Sequence, residues 1–274
     1  MSAFASSFED RRPARSVRDL VSGLLLLVLV AVGLRTALDL PGALPVQAVA
    51  LYLGAALLIL LALPGGLPGP GLGPANRVTL GRLVLALPVA ALGLQPGVGS
   101  EAVRWTVVAV GTVALVLDGV DGWVARRTGT GTAFGARFDM EVDAFLILAL
   151  SVLAWRAGPV GPWILGIGAL RYLFVAAGRA LPALRTELPP SVRRKVVCVV
   201  QGIALLICIG PVVPPILAIA AGAGALGALV GSFAVDVRWA LRTAAETPPE
   251  PSSSSAAQRR PPKAFRRATG SAPG

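Results

Sequence analysis

The sequence predicts an all-α, multi-pass transmembrane helix bundle, and three observations carry that prediction. Hydrophobic residues make up 55% of the 274-residue chain and charged residues 14%, whereas a soluble domain carries roughly 25% charged residues. The apolar residues come in long uncharged runs, the longest being the 40 residues 196–235, about twice what one bilayer crossing needs. The basic residues, 25 against 14 acidic ones, gather between alternate runs, as they do on the cytoplasmic side of membrane proteins. This composition argues against a soluble globular enzyme and against a disordered chain. Strong basicity here needs no nucleic-acid partner, because topology accounts for it. The chain has no histidine, which removes a Ser-His-Asp triad, a Cys-His pair and any histidine metal site. Cys198 and Cys208 lie in one apolar run and read as small buried side chains, neither a zinc site nor a disulfide framework.

The elements follow in order. Residues 1–19 are polar and carry Arg11, Arg12, Arg15 and Arg18. They read as a cytoplasmic N-terminal segment; no convincing cleavage site follows the first apolar run, so a signal peptide is set aside. Helices are expected over 20–34 and about 46–64, making residues 20–64 a pair of crossings. The Pro/Gly-rich stretch 64–75 reads as a linker. Further helices are expected over about 79–97, 103–126, 138–156 and 160–179. The run 196–235 is split into two by Pro211, Pro214 and Pro215. Eight crossings place both termini in the cytoplasm, with 21 basic residues inside and only Arg35, Arg104 and Arg156 outside. Residues 65–243 then form a six-helix membrane domain. The Pro-, Ser-, Ala- and Arg-rich tail 244–274 cannot bury a core and is expected to be disordered.

Five of the 14 acids fall between 118 and 143, where the fourth helix leaves the membrane and the fifth re-enters. Charged groups at this depth are costly unless paired, solvated or metal-bound. Asp118 and Asp121 are spaced i,i+3 and Asp139 and Asp143 i,i+4, so each pair shares a helix face. The Gly/Thr-rich segment between the pairs can turn the chain, so antiparallel helices would aim four carboxylates at one spot. Four such groups do not stay ionised together without cations. Hard divalent ions, Mg²⁺ or Mn²⁺ and two per site, are the simplest partners, and the oxygen-only donors suit neither zinc nor copper. Paired metals would suit phosphoryl chemistry at a membrane surface. The alternative is a set of solvated acids pairing with Arg126, Arg127 and Arg137. Glu141 points away from the Asp139/Asp143 face, which suggests a surface role.

Residues 118–143 contain Asp118-Gly119-Val120-Asp121-Gly122-Trp123-Val124-Ala125-Arg126, then Gly135, Asp139 and Asp143. This matches all eight fixed positions of D-x2-D-G-x2-A-R-x8-G-x3-D-x3-D, and in this the chain resembles the CDP-alcohol phosphotransferases. Asn76, Thr79 and Arg82 are similar to the N-x-x-T-x-x-R pattern at the start of that family's first core helix. Lys195 and Gln201 partly match a later pattern. The resemblance covers about residues 74–235. It implies a six-helix core, here with two extra N-terminal helices, usually in a homodimer. It also implies transfer of a phosphoalcohol group from a CDP-alcohol to a second alcohol, with release of CMP.

By resemblance, Asp118, Asp121, Asp139 and Asp143 hold the metals, and Asp143 is the general base on the acceptor hydroxyl. Asn76, Thr79, Gly122, Ala125, Arg126 and Gly135 form the nucleotide side, where small residues let cytidine approach the backbone. Arg137, Arg171, Arg193, Arg194 and Lys195 are candidates for a pocket that takes a phosphorylated acceptor. The competing reading makes the last three topology charges, whereas Arg171, in mid-helix, needs a polar partner. The donor expected at a bilayer surface is CDP-diacylglycerol. The acceptor stays open, because the sequence reads Phe138-Asp139-Met140-Glu141-Val142-Asp143-Ala144. Phosphatidylglycerophosphate synthases tend to read Leu-Asp-Pro-x-Ala-Asp-Lys there. A lipid acceptor, as in a cardiolipin-type synthase, is the alternative within the class. A cation transporter or an idle membrane scaffold is the alternative outside it.

Overall fold

A computed structural model describes residues 11–63, 71–129, 131–180 and 191–246. Among these residues there are eight α-helices and no strand. They are α1 (Arg11–Ala37), α2 (Ala43–Ala62), α3 (Pro74–Leu92), α4 (Glu101–Thr128), α5 (Ala133–Ala157), α6 (Leu165–Ala180), α7 (Val192–Ile209) and α8 (Pro215–Glu246). A short 3₁₀ turn, Pro162–Ile164, precedes α6. The expected multi-pass helical bundle is therefore the fold. The predicted tail falls outside the described residues, apart from the end of α8.

Boundaries shift where local chemistry outweighs hydropathy. The helix expected from 79 starts at Pro74, because proline suits the first helical turn, where its missing N–H costs nothing. It ends at Leu92 rather than 97, with Gly93 as its cap. The helix expected from 160 starts at Leu165, after Gly161-Pro162 and the 3₁₀ turn. The last helix runs well past the apolar run, to Glu246. Ser100 caps the start of α4 and Thr132 the start of α5. Gly129 ends α4 in the left-handed region at φ +63°, a conformation glycine adopts without strain. The turn is thus shorter than the Gly/Thr segment suggested.

Among the described residues, five helical stretches are long and apolar enough to cross a bilayer on their own: Ser16–Ala37, Ala43–Ala62, Pro74–Leu92, Glu101–Thr128 and Pro215–Thr243. The other three fall short for visible reasons. α5 carries Arg137, Asp139, Glu141 and Asp143 near its start, and α7 opens on Arg193, Arg194 and Lys195. α6 has only 16 residues.

The most enclosed helix is α3, which packs against α1, α2, α4 and α5. Small residues bring the other helices close, as expected where lipid tails give no hydrophobic drive between helices. A Cβ on Gly111 of α4 would stand 2.8 Å from Leu206 of α7, and one on Gly202 of α7 would stand 2.8 Å from Leu115 of α4. The two glycines form reciprocal notches. Large apolar side chains such as Leu25, Leu29, Leu58 and Leu61 face outward. All five tryptophans are at least partly exposed near helix ends. Trp105, Trp155 and Trp163 sit at one end of the bundle and Trp123 and Trp239 at the other, as in the aromatic belts of membrane proteins.

Candidate active site

The turn between α4 and α5 brings both acid pairs to one end of the bundle, and α3 supplies what lies between them. Arg82, fully buried, reaches from α3 into the group of four carboxylates. Its Nη1 stands 2.9 Å from Asp118 Oδ1 and 2.9 Å from Asp121 Oδ2, and it also contacts Asp139. Its Nη2 bonds Asp143, and its Nε donates to the carbonyl of Ala114 at 3.2 Å. Four carboxylates around one guanidinium leave a formal charge of −3.

The four acids differ in exposure. Asp121 is buried and held by Arg82 and by the hydroxyl of Thr79, which donates to it at 3.2 Å. Asp118, Asp139 and Asp143 keep 34%, 37% and 24% of their side-chain surface open. One oxygen from each of Asp118, Asp121 and Asp139 lies within 4.8 Å of the others. Oxygen-only donors at this spacing, with negative charge in excess, fit a hard divalent cation. The expected convergence is present, and the alternative pairing with Arg126, Arg127 and Arg137 is absent from it.

The residues expected on the nucleotide side line the same end. Asn76 is buried, and its Nδ2 donates to Leu72 O at 2.8 Å. Its Oδ1 lies against Gly135, where a Cβ would be only 2.6 Å away. Gly122 sits under Arg126, whose Nη1 would stand 3.3 Å from a Cβ there. Ala125 is half-buried and Arg126 exposed. Thr79 bonds Asp121 rather than facing open space.

The basic residues expected at an acceptor pocket are distributed differently. Arg171 finds the polar partner it needs in Glu141, at 2.6 Å, and its Nε is buried without a hydrogen-bond partner. Glu141 points away from the four aspartates, as its position on the helix predicts. Arg193 is tied to Asp236 and Ser232 of α8. Arg194 is half-buried, while Arg137 and Lys195 are exposed.

Arg82 is the residue that sequence reasoning placed in a motif without seeing its role. A signal was available. Asn76, Thr79 and Arg82 follow at i,i+3 spacing on one face of α3. A charged residue in so apolar a helix also requires a partner of opposite sign.

Residues 73–233, more than half of the chain, match the family described as CDP-alcohol phosphatidyltransferase. Two relatives from Mycobacterium tuberculosis, strains CDC 1551 / Oshkosh and ATCC 25618 / H37Rv, are each described as "Probable phosphatidylglycerophosphate synthase". Each is 32% identical over 143 residues, covering 52% of this chain and 68% of the relative. No solved structure matches the chain. The eight-position signature, the carboxylates it brings together and the match over α3 to α8 agree, and the chain belongs to the CDP-alcohol phosphatidyltransferase family, transferases of phospholipid biosynthesis.

Proposed function

We propose that this transferase moves a phosphatidyl group from CDP-diacylglycerol to a small phosphorylated alcohol and releases CMP. The observation that carries the reading is the convergence of four carboxylates at the mouth of an apolar groove. The groove, about 510 Å³, runs between α4, α5 and α7. Asp118 and Asp143 border one end and Trp105 and Val212 the other. From Asp118 to Trp105 along α4 is about 20 Å at 1.5 Å per residue, a large part of the ~30 Å hydrocarbon core. A donor with acyl chains fits such a shape, with its pyrophosphate at the acids.

Asp118, Asp121 and Asp139, with Asp143 beside them, would hold divalent ions, Mg²⁺ or Mn²⁺, which neutralise the pyrophosphate and polarise the phosphorus under attack. Asp143 takes the proton from the acceptor hydroxyl at its open face. The acceptor oxygen then bonds to the lipid-linked phosphorus as the bond to CMP breaks, and CMP leaves with that electron pair. Thr79 and Arg82 hold Asp121 in orientation from the buried side. Asn76, Gly122, Ala125, Arg126 and Gly135 form the cytidine side. Glycerol phosphate is the acceptor favoured by the names of the two relatives. In the cell both termini face the cytoplasm, residues 65–243 form the catalytic domain, and two copies pair as a homodimer.

The test is CMP release from CDP-diacylglycerol by purified protein with Mg²⁺ or Mn²⁺. Glycerol phosphate, inositol phosphate, serine and phosphatidylglycerol are offered as separate acceptors. Release that requires metal, Asp143 and a phosphorylated alcohol is the expected result. Release with phosphatidylglycerol alone would mean a lipid acceptor. No release from any acceptor, in folded protein that binds no CDP, would overturn the reading.

A further inference from the structure

The first two helices lie outside the matched residues 73–233, yet α1 reaches the candidate site. Asp19 of α1 is 7% exposed. Its Oδ2 accepts the backbone N–H of Leu72 at 3.0 Å and pairs with Arg77 Nε at 3.2 Å. Leu72 is buried between Gly71 at φ +74° and Gly73 at φ +84°. Both glycines are in the left-handed region, a backbone shape that side chains larger than glycine resist. The Leu72 peptide is therefore turned inward, and Asp19 satisfies the N–H that this turn buries. The carbonyl of the same residue accepts from Asn76 Nδ2 at 2.8 Å. Asn76 in turn lies against Gly135 of α5, with no room for a Cβ between them.

A second contact sets where Asp19 stands. Tyr52 of α2 is buried and donates its hydroxyl to Leu20 O at 2.6 Å, one residue from Asp19. That hydroxyl fills the space that a Cβ on Gly23 would occupy, 2.5 Å away. α2 thus locks the register of α1, α1 locks Leu72, and Leu72 orients Asn76.

We infer that the α1–α2 hairpin is a brace for the nucleotide side of the site, with Asp19 as a positioning residue that sets Asn76 through the Leu72 peptide. The inference rests on the reading of the donor as a CDP-alcohol. A bare anchor needs no buried carboxylate aimed at a loop of the catalytic domain. A buried charge is costly unless it is hydrogen-bonded and paired, and Asp19 is both.

The test compares wild-type protein with Asp19→Ala, Asp19→Asn and Tyr52→Phe, reading CDP affinity by calorimetry, KM for CDP-diacylglycerol, kcat, and Mn²⁺ affinity. Asp19→Ala is expected to weaken CDP binding and raise KM about tenfold, with Mn²⁺ affinity unchanged. Asp19→Asn keeps an acceptor for the Leu72 N–H and loses the Arg77 pair, so it restores most of the loss. Tyr52→Phe is expected to shift KM in the same direction by less. CDP affinity and KM equal to wild type in Asp19→Ala, or a normal KM in Tyr52→Phe where the alanine variant does not fold, would overturn the brace. A parallel loss of Mn²⁺ affinity and kcat would also overturn it, by showing general unfolding of the site. Wild-type protein that binds no CDP would instead overturn the donor reading and the inference with it.

Discussion

The two ends of the bundle treat charge in opposite ways. At the end away from the aspartates, arginine side chains meet backbone carbonyls. Arg104 donates from Nε to Ile209 O at 2.7 Å and from Nη2 to Gly210 O at 2.8 Å, where α7 ends. Arg156 donates to Gly93 O, just past the end of α3. The last carbonyls of a helix lack intrahelical partners and carry the negative end of its dipole, so a guanidinium completes them. Each of these two helix ends thus receives one cation. At the aspartate end one arginine faces four carboxylates. It satisfies their geometry and leaves negative charge over. The first arrangement stabilises the fold, whereas the second holds together and keeps a surplus of negative charge that could take up a cation.

That contrast breaks most readily at Asp143. Asp143→Asn keeps the shape of the side chain and removes the base, and it should lower CMP release by about 10²- to 10⁴-fold while heat stability stays near wild type. Loss of stability in proportion to the loss of activity would make Asp143 structural instead. Next is Arg82→Gln. Removing the cation from a buried charge cluster should cost about 3–5 kcal/mol when unfolding is followed in EDTA, and Mn²⁺ should recover much of that loss. Equal destabilisation with and without Mn²⁺ would show that the cluster does not take up cations.

Smaller effects sharpen the comparison. Gly135→Ala would put a Cβ 2.6 Å from Asn76 Oδ1. Steady-state kinetics should show KM for the donor raised roughly tenfold, about 1.4 kcal/mol, with Mn²⁺ affinity kept. Arg104→Ala should cost about 1 kcal/mol of stability, by the same amount in EDTA and in Mn²⁺, with KM unchanged. A metal-dependent effect at Arg104 would mean that the two ends are coupled.

Most of the fold was legible because hydropathy and proline act locally. Each expected span has its helix, and Pro211, Pro214 and Pro215 do separate α7 from α8. The acid pairs were legible because helical spacing fixes which side chains share a face. What the sequence hid depends on contacts between distant segments. Arg82 lies 32 residues before Ala114 and 61 before Asp143, both of which it touches. In the sequence it reads as a motif position and as one more basic residue on the cytoplasmic side, with no partner in view. Arg104 and Arg156 read as exceptions to the charge rule, and only the packed bundle shows the carbonyls that hold them. Arg193 looked free to meet a substrate phosphate. Its partner, Asp236, lies 43 residues on, in the next helix. The role of α1 was hidden for the same reason, since Asp19 meets Leu72 across 53 residues.

That the aspartate end takes up divalent cations and the opposite end takes up none is the prediction this contrast makes. It is tested most directly by titrating purified protein with Mn²⁺ and following free ion by electron paramagnetic resonance. Wild type and Arg104→Ala are predicted to bind Mn²⁺ alike and saturably, and Asp118→Asn and Asp139→Asn to lose that binding. Wild-type protein that binds no Mn²⁺, or aspartate variants that bind it as well as wild type, would contradict the account.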